Sequence, residues 1–212
     1  MQNRLVSARR FATLLALVLP PALGSCVSTS PQRKAVTDGP WIAASPVLQQ
    51  QIQDEAKRLP WTHGFERLEQ IRWFASLGEP GYATLLDLAT DPRDDVAAAA
   101  FAAMGATLDN RLVPYIREIR IPSGEDHKDL QLERARTLVR LGDWGEIPTL
   151  IAGLRDDRVY TRSLCHDALT EATHEDKGFD PRASDEAREA AVSRWEQWWR
   201  DRSSDSLLSA AN

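Results

Sequence analysis

The sequence has few of the residues and motifs that carry catalysis or metal binding. It holds two cysteines among 212 residues, too few for a disulfide framework. It contains no HExxH pair, no CxxC pair and no glycine-rich phosphate loop, so none of the common metal or nucleotide motifs is present. β-Branched residues are sparse, while leucine and alanine dominate the apolar content, which favours helix. We therefore predict an all-α chain with no catalytic, cofactor-binding or metal-binding residues.

Positive charge is also in short supply. The chain carries 26 basic and 31 acidic residues, a formal net charge of −5. Residues 1–25 hold three of the basic residues and none of the acidic ones, so the remainder has a net charge of −8. A surface this acidic lacks the electrostatic footprint of a nucleic-acid binder. We expect no nucleic-acid partner.

The N-terminus has the three regions of a secretory signal. Residues 1–10 include three arginines, and residues 11–19 form an apolar run that is too short to span a bilayer as a helix. The quartet at residues 23–26, Leu-Gly-Ser-Cys, looks like a bacterial lipobox. That resemblance implies cleavage before Cys26, with acyl chains such as palmitate on its sulfur and amino group. The alternative is an ordinary signal peptide followed by an incidental cysteine.

The lipobox resemblance implies a location. With residues 1–25 as signal peptide, Cys26 would anchor the chain in the cell membrane or the outer membrane, facing the periplasm, because several acyl chains hold firmly where one is marginal. Residues 26–44 are rich in Ser, Thr, Pro and Gln and predict a flexible tether. Cys165 is then left without a partner, and we interpret it as a small core residue.

A helical domain is predicted over residues 45–201, with residues 202–212 as a disordered tail. Ser45 and Pro46 are typical of a helix start, and Gly78 is typical of the end of the second helix. Further along, residues 147–154 and 159–172 form two short amphipathic helices around an acidic turn. Two such helices cannot bury their apolar faces alone, so they need similar pairs beside them.

Similar pairs do recur in the sequence. Aligning Ala83, Pro114 and Pro148 gives offsets of 31 and 34 residues, inside the range of about 20–50 residues expected for helical repeats. With their acidic turns at 91–96 and 156–159 and their alanine-rich second helices, residues 65–173 resemble the HEAT-repeat family in its short bacterial, PBS-lyase-like form.

The HEAT resemblance implies an α-solenoid of stacked antiparallel helical hairpins. In that family a turn aspartate and a second-helix arginine often form a ladder between repeats, and Asp156 with Arg162 match those positions. Ala100 stands where the arginine of the first copy would fall. Bilin lyases contain similar repeats, but fold resemblance alone does not carry their activity over.

Two further segments stand out. Residues 120–129 predict a long loop inside the middle hairpin, which either contacts a partner or is simply solvated. Near the C-terminus, an aromatic stripe follows helical spacing, and similar endings follow HEAT repeats in some bacterial lipoproteins. We expect this Trp-rich helix to cap the stack, the alternative being a carbohydrate-binding platform. The stripe consists of Ala191, Trp195, Trp198 and Trp199.

Histidine chemistry is weakly indicated. Cys165 and His166 are neighbours on a helix, so their side chains diverge by about 100° and cannot pair as nucleophile and base. Asp167, Glu171 and His174 share a helix face and could coordinate a metal ion. Such faces are usually only solvated.

Together the resemblances imply a non-enzymatic, lipid-anchored scaffold that binds a protein partner at the bacterial cell envelope. One alternative is an accessory factor or small enzyme acting on envelope glycans or a prosthetic group. A deep pocket that places Trp61, Trp73 or Trp144 beside a carboxylate would favour that alternative. A purely structural lipoprotein, distinguished by high abundance, is the third.

Overall fold

A computed structural model describes residues 39–210, with side chains described as far as residue 204. Every regular element in that range is helical, and no strand occurs within it, so the predicted all-α class is confirmed there. The predicted signal peptide, residues 1–25, and Cys26 lie outside the described residues. The α-helices are α1 Pro46–Arg58, α2 Gly64–Leu77, α3 Glu79–Leu88, α4 Asp94–Ala106, α5 Val113–Glu118, α6 Lys128–Arg140, α7 Ile147–Gly153, α8 Val159–Thr173 and α9 Asp185–Ala210.

Helix starts follow the local sequence signals. The Ser45 hydroxyl accepts the Leu48 N–H at 3.3 Å, and Pro46 occupies the first turn of α1. Pro114 and Pro148 open α5 and α7 in the same way, where a missing N–H costs nothing. Gly78 ends α2 at a φ of 64°, a left-handed conformation that favours glycine.

The packing order of the helices places α4, α6 and α8 next to one another, where they line the site described below. Helices α2, α4, α6 and α8 pack side by side in that sequence, with the most extensive contact between α4 and α6. Helix α3 packs on α4 and α7 packs on α8. The close approach of α4 and α6 is made by Gly105, where a Cβ would come within 3.3 Å of the Thr137 hydroxyl. That hydroxyl donates to the Phe101 carbonyl at 2.9 Å.

The two larger apolar clusters of the core meet in α6, and a third, smaller cluster consists of Leu59, Val96 and Ala99. Leu130 and Leu138 belong to the cluster built on α1, α3, α4 and α5, while Leu132, Ala135 and Val139 belong to the cluster built on α7, α8 and α9. Because α6 faces both clusters, it is the element that joins the two halves of the described chain.

The predicted tether is partly packed. The last residues of the predicted range 26–44 lie against the helices, because Trp41 stacks edge-on to Tyr82 at 5.0 Å and lies 5.1 Å from the ring of Tyr115. The Ile42 N–H donates to the Glu79 carboxylate at 2.9 Å. Helix α9 continues beyond residue 201, the predicted end of the helical domain, to Ala210.

The side chains of Asp156 and Arg162, the predicted ladder pair, do not bond to each other. Arg162, which is 5% exposed, donates to the backbone carbonyls of Asp156, Asp157 and Pro181. The Asp156 carboxylate instead accepts from Arg158 and lies 3.1 Å from the Lys128 ammonium. Arg162 therefore ties its turn to the next segment through backbone oxygens.

A short turn motif recurs along the chain. In each Asp-x-Arg triplet the aspartate Oδ1 accepts the backbone N–H two residues later, which fixes an Asx-type turn. The triplets begin at Asp91, Asp109, Asp156 and Asp180.

At Asp109 the turn is reinforced by side chains. Arg111 donates through Nε and Nη2, and the Tyr82 hydroxyl donates at 2.9 Å. These bonds, the one from Arg111 foremost, outweigh burial and lower the pKa of Asp109 to about 2.

Candidate functional site

Three neighbouring helices line two adjacent cavities. Two cavities of about 360 Å³ and about 370 Å³ lie across α4, α6 and α8, and both are lined by Glu133 and Arg136. We call the two together the groove. Its floor is one face of α6, and its walls are the facing sides of α4 and α8. The floor residues are Asp129, Glu133, Arg136 and Arg140, and the wall residues are Ala98, Ala102, Gly105, Leu164, Ala168 and Ala172.

An ion pair occupies the middle of the floor. Arg136 Nη1 donates to Glu133 Oε2 at 2.6 Å, and both side chains are largely shielded, being 29% and 19% exposed. Burial raises the pKa of Glu133, an effect that Arg136 opposes. The buried Nε of Arg136 has no hydrogen-bond acceptor among the described residues. The groove therefore combines apolar walls with a charged pair that water reaches poorly.

The two ends of the groove differ. Around the N-termini of α4 and α6 the lining is acidic, and Tyr160 lies at that mouth, 73% exposed. At the opposite end Trp144 lies near the Arg140–Glu171 ion pair, whose nearest atoms are 3.2 Å apart. Leu108 lies at this second end with 64% exposure and a φ of 56°, an unusual conformation for a leucine. Large exposed apolar side chains therefore lie at both ends of the groove.

Three tryptophans were considered as pocket residues, and one of them, Trp144, lines the groove. The carboxylate of Glu171 lines the same cavity. Trp61 is 80% exposed on a single 3-10 turn, and Trp73 packs on Phe74 with ring centroids 5.1 Å apart.

The cysteine and histidine side chains lie in separate environments. Cys165 is fully buried, and burial raises its thiol pKa to about 12. His166 lies 3.1 Å from an Asp176 carboxylate oxygen. His127 bonds Asp94 at 2.8 Å and so ties the loop of the middle hairpin to α4. Beneath that loop lies a third cavity of about 810 Å³.

The weak metal-binding hypothesis finds no cluster to support it. Within residues 39–210 no group of three His, Cys, Asp or Glu side chains converges as a metal site requires. Glu171 pairs with Arg140 instead, and His174 ends α8 at a φ of 57°.

The aromatic stripe of α9 is turned towards α7. Trp195 and Ala191 are fully buried among the apolar residues of α7 and α8. Trp198 and Trp199 are half-buried at the edge of the same cluster, and Arg202 lies 4.7 Å from the Trp144 ring centroid. A fully buried Trp195 offers no ring face to a sugar, which argues against the carbohydrate-platform alternative.

Comparisons with family models, with curated proteins and with solved structures found no match. Among the described residues, no helix combines the length and apolar character needed to cross a membrane. The groove is thus the candidate site on its own geometry.

Proposed function

We propose that this chain is a lipid-anchored α-solenoid of HEAT-like hairpins that binds a protein partner at the bacterial cell envelope and catalyses no reaction. The observation that carries the proposal is the groove, whose two adjacent cavities together extend over α4, α6 and α8. Long, shallow surfaces with small apolar side chains suit a polypeptide segment better than a small substrate.

The side-by-side order of α2, α4, α6 and α8 supports the solenoid part of the proposal. Stacked helical hairpins bring their second helices together in this way and create extended binding surfaces. The Asp-x-Arg turns at Asp91 and Asp156 lie inside the hairpins α3–α4 and α7–α8, and they are also consistent with repeated units.

The packed end of the tether lies away from the groove. Trp41 lies on Tyr82 of α3 and Tyr115 of α5, whereas the groove uses a different face of α4. A tether that reaches the helices on the α3–α5 side would therefore leave the groove open to a partner.

Chemical crosslinking in the protein's own cells, followed by mass spectrometry, tests the proposal. The wild-type chain should yield a defined envelope protein as a crosslinked partner. The Cys26→Ala control should lose lipid, leave the membrane fraction and lose that partner. Failure to recover any reproducible protein from the wild-type chain would count against the proposal. Very high abundance with uniform distribution and no partner would instead indicate a purely structural lipoprotein.

A second candidate function rests on Trp144. This ring shares the groove end with Glu171 and Arg140 in a cavity of about 360 Å³, a size that falls in the range of about 300–1,000 Å³ common for small-molecule sites. It favours an accessory factor or small enzyme acting on envelope glycans or a prosthetic group. Titration with soluble envelope-glycan fragments, read by tryptophan fluorescence, distinguishes it. A saturable change that Trp144→Phe abolishes would support this candidate, and no change would remove it.

A further inference from the structure

Charge is unevenly distributed along the groove. The cavity near the N-termini of α4 and α6 is lined by five carboxylates and a single cation, Arg136. The carboxylates are Asp94, Asp95, Asp126, Asp129 and Glu133. This imbalance makes the local potential negative, which favours a cationic occupant.

Several of these carboxylates already have partners outside the groove. Asp95 pairs with Arg67, and Asp129 pairs with Arg158. Asp126 makes no hydrogen bond or ion pair with any described residue, and Asp94 is bonded only to His127 and not to a lysine or arginine. Asp94 and Asp126 are therefore the carboxylates at this mouth that a new cation would reach first.

The same mouth also offers apolar contact. Tyr160 is 73% exposed there, and Ala98 and Leu164 line the cavity beside it. A long basic side chain suits such a place, because its methylene stem lies on apolar surface while its charged end reaches the carboxylates.

The width of the groove suits a helix. Helices α4 and α8 both pack on α6, and packed helix axes lie about 8–10 Å apart, so the axes of α4 and α8 are roughly 16–20 Å apart. Each wall helix extends about 5 Å from its axis, so roughly 6–10 Å separates the two walls. A helix with its side chains is about 10 Å across. Small wall residues leave room for it along the whole face: Ala98, Ala102, Gly105, Ala168 and Ala172.

We propose that the groove docks an amphipathic helix of the partner protein, with apolar residues along its length and lysine or arginine at the end that lies against Asp94 and Asp126. This inference rests on the proposed function and names the chemistry of the partner segment. The basic end lies near Tyr160, and the other end lies near Trp144.

Binding of two synthetic peptides tests the charge assignment. Both are 18-residue amphipathic helices with the same leucine face. They differ only in the charged residues at the same end, which are lysines in the first peptide and glutamates in the second. Fluorescence anisotropy measures their dissociation constants for the full-length chain carrying Cys26→Ala. We expect the lysine peptide to bind at least about tenfold more tightly at low salt, and the difference to shrink as salt rises.

Matched variants locate the effect. Asp94→Asn with Asp126→Asn should weaken the lysine peptide about tenfold. The control pair, Asp87→Asn with Glu186→Gln, removes the same charge from exposed positions on α3 and α9 and should change binding less than about twofold. Equal binding of the two peptides, or equal effects of the two variant pairs, would overturn the inference.

A blocking variant separates this inference from the proposed function. Ala102→Trp fills the groove, and Ser193→Trp is its control on an exposed position of α9. If the lysine peptide fails to bind but Ala102→Trp abolishes the crosslinked partner in cells, the basic-helix assignment is wrong and the docking function stands. If Ala102→Trp leaves both the peptide and the partner bound, both ideas fail at this groove.

Discussion

Gly153 provides the sharpest test of the packing between α6, α7 and α8. It is the last residue of α7, and a Cβ added to it would overlap Sγ of the buried Cys165 and come within 3.1 Å of Leu132 Cδ2. Gly153→Ala should therefore destabilise the protein, although alanine is normally preferred to glycine in a helix.

The expected size follows from two opposing effects. Overpacking a well-filled core costs about 1–3 kcal/mol, while replacing glycine by alanine in a helix returns up to about 1 kcal/mol. We expect a net loss of about 1–2 kcal/mol in the free energy of unfolding. For a chain of this size that lowers Tm by about 4 °C.

A double-mutant cycle tests this contact by combining Gly153→Ala with Cys165→Ala. The second substitution removes the sulfur that the added methyl group would meet. Alone it should cost about 1 kcal/mol, because it leaves a small cavity. In the double variant the Gly153→Ala methyl group occupies part of that cavity. The double variant should therefore be more stable than Gly153→Ala alone, with a favourable coupling of about 1–2 kcal/mol.

Urea and thermal unfolding of the full-length chain carrying Cys26→Ala measure all four members of the cycle. Additive effects, or a Gly153→Ala variant more stable than the parent, would refute the packing of Gly153 against Cys165.

Other predictions address the turn, the buried arginine and the tether. Because the pKa of Asp109 is about 2 in the folded chain and its ordinary value is 3.8, its stabilising contribution is complete above about pH 4 and is lost as pH falls towards 2; Asp109→Asn should flatten that part of the stability-against-pH curve, measured by urea unfolding. Arg162→Ala should cost about 3 kcal/mol, because it leaves three backbone carbonyls without their donor, and amide hydrogen exchange should rise in residues 174–184; unchanged exchange would contradict this. Trp41→Ala should lower the unfolding free energy by about 2 kcal/mol, whereas the exposed Trp61→Ala should change it by less than about 0.5 kcal/mol; equal effects in thermal melts would show that Trp41 does not hold the tether end.

Local signals in the sequence predicted the helices well, because each signal acts over a few residues. Ser45 with Pro46, and Pro114 and Pro148 at the later starts, satisfy or remove the free N–H groups of a first turn. Gly78 accepts the left-handed conformation that ends α2. The buried residues Ile116 and Ile151 also follow from helical spacing.

Side-chain partners were harder to predict. The HEAT resemblance implied an Asp156–Arg162 pair, but Arg162 donates to backbone carbonyls instead, because a long arginine side chain can reach segments on both sides of it. The Asp-x-Arg triplets were the missed signal, since they recur at four turns and their bonding is local.

The groove itself needed the structure. On α8, Cys165 and Leu169 are fully buried, whereas Leu164 lines the groove. A helical wheel shows which residues share a side, but it does not show whether that side faces a core or an open cavity. Trp41 was missed for a related reason, because a polar, proline-containing segment gives no sign that one ring within it is packed.

Site-specific photocrosslinking in living cells tests the central claim most directly. A photoreactive phenylalanine analogue at Ala102 or Ala168, both on the groove walls, should crosslink one protein partner, identified by mass spectrometry. The same analogue at the exposed Asp87 on α3 should not capture it. Capture of the partner from Asp87 alone, or from neither groove position, would contradict the account.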